Sequence, residues 1–79
     1  MINLVIDIGN THTKVAVFDH HVLRKIDHYE FLNPQHIHAY LTDQGITHSI
    51  LSSVSLSHIT ELEELLAKQT TYIRFATHL

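Results

Sequence analysis

The chain opens on INLVIDI, in which Ile2, Leu4, Ile6 and Ile8 fall on one side and Asn3, Val5 and Asp7 on the other. Alternation with period two predicts a strand over 2–8. Its near-continuous apolar run predicts a central strand, covered on both faces. Gly9-Asn10 is a turn signal. A second strand is expected over 12–18 (HTKVAVF), giving a hairpin, and Asp19-His20-His21 is the next turn. A third strand over 22–31 sets Val22, Arg24, Ile26, His28 and Glu30 against Leu23, Lys25, Asp27, Tyr29 and Phe31. It is the more polar strand, as an edge strand should be.

The period changes at Asn33-Pro34, which reads as a helix start with Asn at the N-cap and Pro at the first helical position. Ile37, Tyr40 and Leu41 make the apolar stripe, and Gly45 is the expected stop. A fourth strand is predicted over 46–54 (ITHSILSSV). The next helix starts between Ser57 and Thr60, where Thr60-Glu61-Leu62-Glu63 fits a capping box. Ile59, Leu62, Leu65 and Leu66 form its buried stripe. Acidic Glu61, Glu63 and Glu64 near the start and Lys68 near the end suit the helix dipole. A last strand is expected over 71–76 (TYIRFA).

The order βββαβαβ predicts an α/β fold. Its mixed sheet has antiparallel leading hairpins and parallel later strands joined by right-handed crossovers. If the later strands step in one direction, both helices lie on one face. The other face then lacks a helix, although the first strand reads as covered on both. That mismatch implies a further element or a partner.

With 79 residues the chain makes one small domain at most. At 44% hydrophobic and 16% charged residues it is globular rather than disordered. A net charge of −3 argues against a nucleic-acid partner or an anionic membrane surface. No cysteine is present, so there is no disulfide framework or thiolate metal site. The N-terminal residues lack the basic segment and long apolar core of a signal peptide, and no run is long enough to span a membrane. A cytoplasmic protein is expected. The nine histidines are dispersed over different elements and read as solvated side chains.

The chemistry concentrates in DIGNTHTK, Asp7 to Lys14, where the first strand ends. Backbone amides in tight turns, hydroxyls and lysine hold phosphates, and glycine allows close approach. A carboxylate such as Asp7 can hold Mg²⁺ through water while the ion bridges nucleotide phosphates. Thr11 and Thr13 offer hydroxyls and Lys14 a charge. The same residues also fit an ordinary hairpin turn, with Asp7 bonded to turn amides. There is no GxGxxG or GxxxxGK[ST] motif.

LVIDIGNTHTKVAVF resembles the N-terminal phosphate motif of type III pantothenate kinases, members of the actin, hexokinase and sugar-kinase superfamily. ILSSVS, from Ile50 to Ser55, resembles the family's fourth-strand segment, and FATHL resembles the region leading to its substrate-binding part. The resemblance implies a ribonuclease-H-like (actin-like ATPase) half-domain over 1–79. It implies an ATP site formed by Asp7, Ile8, Gly9, Asn10, Thr11, His12, Thr13 and Lys14, with Asp7 organising Mg²⁺. Ser52 and Ser53 lie near the cleft by the same analogy.

The family enzyme phosphorylates pantothenate with ATP, the first step of coenzyme A biosynthesis, and uses a monovalent cation, K⁺ or NH₄⁺. Its catalytic aspartate, pantothenate-binding segment and cation ligand have no matching positions here. The expectation is therefore an N-terminal portion of a kinase, inactive alone. Family members dimerise, and a homodimer is expected. The alternative is a non-catalytic module that binds nucleotide or self-associates, of the kind once described as a Baf-type transcriptional regulator.

Overall fold

The computed structural model describes residues 1–54 and 59–75. The elements are β1 (Ile2–Ile8), β2 (Thr13–Asp19), β3 (Val22–Tyr29), α1 (Pro34–Asp43), β4 (His48–Ser53), α2 (Thr60–Gln69) and β5 (Thr71–Phe75). One five-stranded sheet has the order β3-β2-β1-β4-β5. β1 pairs antiparallel with β2 and parallel with β4; β2 pairs antiparallel with β3, and β4 parallel with β5. This is the mixed sheet expected of the βββαβαβ order, and it is compatible with an actin-like ATPase half-domain.

The alternation of β1 decides where the core sits. Leu4 and Ile6 join Val15, Val17 and Leu51 from the sheet and Ile37, Tyr40, Leu62 and Leu66 from the helices in one buried cluster. Both helices thus cover the Leu4–Ile6 face and touch each other. Burying one such side chain contributes roughly 1.5–3 kcal/mol, so this single layer carries most of the stability. The expectation that β1 is covered on both faces is corrected. Among the described residues no helix covers the Asn3–Val5–Asp7 side, and Asp7 is exposed.

Helix α1 starts as expected. The Asn33 side chain accepts from the His36 amide at 3.1 Å, and His36 Nδ1 accepts from the Asn33 amide at 3.2 Å. The box closes on a histidine where glutamate or glutamine is usual. Because Nδ1 accepts a hydrogen bond there, the imidazole must be unprotonated at that atom. The helix ends at Gln44, and Gly45 follows with φ of 65°, a left-handed conformation that glycine takes without penalty.

Helix α2 departs from expectation. Ile59 is the N-cap and no side chain caps the helix, so the Thr60–Glu63 box does not form. Glu63 is drawn away to β5. It accepts from Arg74 Nε and an Arg74 terminal nitrogen, both at 2.5 Å, and from Tyr72 Oη at 2.7 Å. A bidentate charged pair outcompetes a backbone amide. The Arg74 guanidinium holds the Glu63 carboxyl below the usual range, while burial pushes the Tyr72 hydroxyl up, with Glu63 adding to the effect.

Strand β3 is an edge strand, as expected, but shorter than 22–31 and bulged. Val17 pairs with Lys25 whereas Phe18 pairs with Leu23, which leaves Arg24 as the extra residue. The bulge moves Leu23 onto the face of Ile26 and His28, breaking the predicted alternation. Across the sheet, Tyr40 of α1 donates to Asp27, and Tyr29 and Tyr40 share a hydrogen bond of 2.7 Å. Burial, then the Asp27 contact, raises the Tyr40 pKa. These bonds clamp α1 to the outer strand. The expected Ser57 start and the FATHL terminus involve residues 55–58 and 76–79, outside the described residues.

Candidate functional site

The β1–β2 turn is closed by one backbone bond, Gly9 N–H to His12 O at 2.9 Å. The same oxygen explains the glycine. A Cβ at position 9 would lie 3.0 Å from it, against a backbone atom that has no rotamer to change. Gly9 is thus required for close packing of the turn, and its amide is already engaged. No turn bond of this kind engages the amides of Asn10, Thr11 or His12 among the described residues. All three residues are exposed.

The eight residues of DIGNTHTK divide by face. Asp7 and Lys14 are directly paired across β1 and β2 and both exposed, on the side without helices. They make no ion pair with each other or with any described residue. Ile8 packs against the core. Thr13 is 4% exposed and lies on the helix side with Val15. Asp7, Asn10, Thr11, His12 and Lys14 are therefore open to a ligand, whereas Ile8, Gly9 and Thr13 shape the turn that presents them.

The register extends the site beyond the hairpin. Asp7 pairs with Ser52 in β4, Ser52 with Phe75 in β5, and Lys14 with His28 in β3. One row, His28–Lys14–Asp7–Ser52–Phe75, thus crosses the helix-free face. Beside Asp7 lies a shallow hollow lined by Val5, Ile50, Ser52 and Phe75. Neighbouring strands stand about 4.8 Å apart, so adjacent members of the row reach a shared ligand. His28 is indistinct among nine histidines in the sequence; only strand pairing brings it to Lys14.

Chemically the row offers one carboxylate, one hydroxyl, one ammonium and one imidazole, with loose turn amides beside its Asp7–Lys14 pair. A lone exposed carboxylate suits Mg²⁺, which keeps most of its waters and takes its other ligands from phosphates. Among the described residues no group of three or more His, Asp or Glu side chains is placed to hold a metal by itself. No helix of the described residues is long and apolar enough to cross a membrane.

A comparison with curated proteins finds no significant match. A family model does match, over residues 3–77, and it describes type III pantothenate kinase. The match takes in the hairpin, both crossovers and every strand. Its members are kinases of coenzyme A biosynthesis, with ATP and pantothenate as substrates. The chain belongs to the type III pantothenate kinase family.

Proposed function

We propose that this chain builds the phosphate-binding wall of an ATP-dependent pantothenate kinase in the cytoplasm. The observation that carries the reading is the side-by-side exposure of Asp7 and Lys14 at the mouth of an open hairpin. Asp7 would hold Mg²⁺. The Asn10, Thr11 and His12 amides and the Thr11 hydroxyl face the phosphate oxygens, and Lys14 offsets their charge. When bound, Mg²⁺ supplies neutralisation of charge on the transferred phosphoryl group.

These 79 residues do not complete a turnover alone. Phosphoryl transfer needs both substrates held in line and a group to orient the acceptor. Asp7 is flanked in the sheet by Lys14 and Ser52, so no second carboxylate stands directly beside it. Nothing in the described residues is assigned to the monovalent cation.

The test is an amide-resolved NMR titration with Mg²⁺-ATP. Shifts are expected at Asn10, Thr11, His12 and Lys14, and Asp7→Asn should remove the Mg²⁺-dependent part while leaving the spectrum folded. An unshifted turn up to millimolar nucleotide would reduce DIGNTHTK to a hairpin.

A second reading, self-association into a homodimer, has its own support. Ile26, Ala16, Val5, Ile50 and Ile73 form an apolar row across all five strands of the helix-free face. Ile26 is 48% and Ile73 60% exposed. A second copy laid on this row would take both from water.

A further inference from the structure

We infer that His28 is a further phosphate-contacting residue, one that makes the row select a polyphosphate over a single phosphate. The inference rests on the reading of the Asp7–Lys14 turn as a phosphate site. His28 is exposed and stands directly opposite Lys14. Such pairs have Cα atoms about 5 Å apart with both side chains on one face.

Its direction is fixed from behind. The residues on either side of it, Asp27 and Tyr29, are both tied to Tyr40 of α1 on the opposite face of the sheet. Strand β3 cannot roll at this point without breaking that clamp. The ladder is also regular here, since Thr13, Lys14 and Val15 pair in order with Tyr29, His28 and Asp27. The bulge lies farther along, between Val17 and Phe18. His28 is therefore presented on the Lys14 side by a rigid support, and it has no hydrogen bond or ion pair among the described residues.

An imidazole always keeps at least one N–H donor, so His28 can donate to a phosphate oxygen. Asp7 and His28 lie two strand spacings apart, about 10 Å. A metal at Asp7 and an N–H at His28 then bracket Lys14 along a line that one phosphate group cannot span. The ligand class that fits is a chain of two or three phosphates, with His28 at the end remote from the metal.

The experiment measures binding of Mg²⁺-ATP and of AMP to the 79-residue chain, to His28→Ala, to His28→Arg and to the control His21→Ala. His21 is exposed in the β2–β3 turn. His28→Ala is expected to weaken Mg²⁺-ATP by about threefold to tenfold, with AMP changed less than about twofold. His28→Arg should restore ATP binding by returning N–H donors, and His21→Ala should leave it unchanged. Equal ATP affinity in His28→Ala and the parent chain, or equal losses for ATP and AMP, would overturn the role of His28 alone. No ATP binding by the parent chain would overturn the phosphate site and the inference with it.

Discussion

Replacing Gly9 by alanine tests the hairpin at the atom that constrains it most. The added Cβ would sit 3.0 Å from the His12 carbonyl oxygen, where a relaxed carbon–oxygen contact is about 3.3–3.6 Å. The oxygen belongs to the backbone and already accepts the Gly9 amide at 2.9 Å. Relief therefore requires the turn to open by several tenths of an ångström, lengthening the bond that closes it. Loss of that bond costs about 1 kcal/mol, and the displaced backbone brings the total to roughly 1–3 kcal/mol. For a domain of this size each kcal/mol lowers Tm by about 4–8 °C. Thermal unfolding followed by circular dichroism should show a fall of at least about 4 °C. The Asn10 and Thr11 amide signals should move in the unliganded protein. Gly45→Asn is the contrast. Gly45 has φ of 65° with nothing within 4 Å of its Cβ position, so a residue that tolerates the left-handed region is accepted there. A Gly9→Ala protein with unchanged Tm and unmoved turn amides would refute the close-contact account of this glycine.

Two further outcomes follow from packing and charge. Glu63 has its pKa lowered, first by its bonds to Arg74, so its contribution is complete above the unfolded value near 4.3 and fades as pH falls through the lower folded value. The parent chain should lose stability in acid below about pH 4.3, and Glu63→Gln should flatten that dependence while lowering Tm at pH 7 by no more than about 5 °C. For the helix-free face, light scattering over micromolar concentrations should show self-association that Ile73→Lys abolishes. A monomer at all concentrations would remove the apolar row as a contact between copies.

Much of the fold is legible in the sequence because β1, β4 and α2 carry clean periods, and the Asn33-Pro34 start is marked by residue type. The apolar run of β1 misleads about its second face, because Val5 between Asn3 and Asp7 reads as a buried strand whether or not anything covers it. The capping box of α2 fails for a reason no local pattern holds. Glu63 has a better partner in Arg74, eleven residues away and on the following strand β5. The Arg24 bulge is equally silent, since a strand with one extra residue keeps its composition. For the candidate site, DIGNTHTK is legible as a polar turn closing the first hairpin, but the division into open Asp7 and Lys14 and buried Thr13 depends on which face the helices take. Ser52 and His28 join the row only through the register.

The bulge in β3 gives the sheet a direction of growth. An outer strand that bends and twists at an unpaired arginine is a poor template for another chain, and its Arg24 side chain is already held by Asp19 at 3.0 Å. The opposite border is plain: β5 pairs with β4 in unbroken register from Thr71 to Phe75. Among the described residues one flank is thus blunted and the other left receptive. A strand added to this sheet, from the same polypeptide or from another, would extend it past β5, next to Phe75 and the end of the row that runs through Asp7 and Lys14.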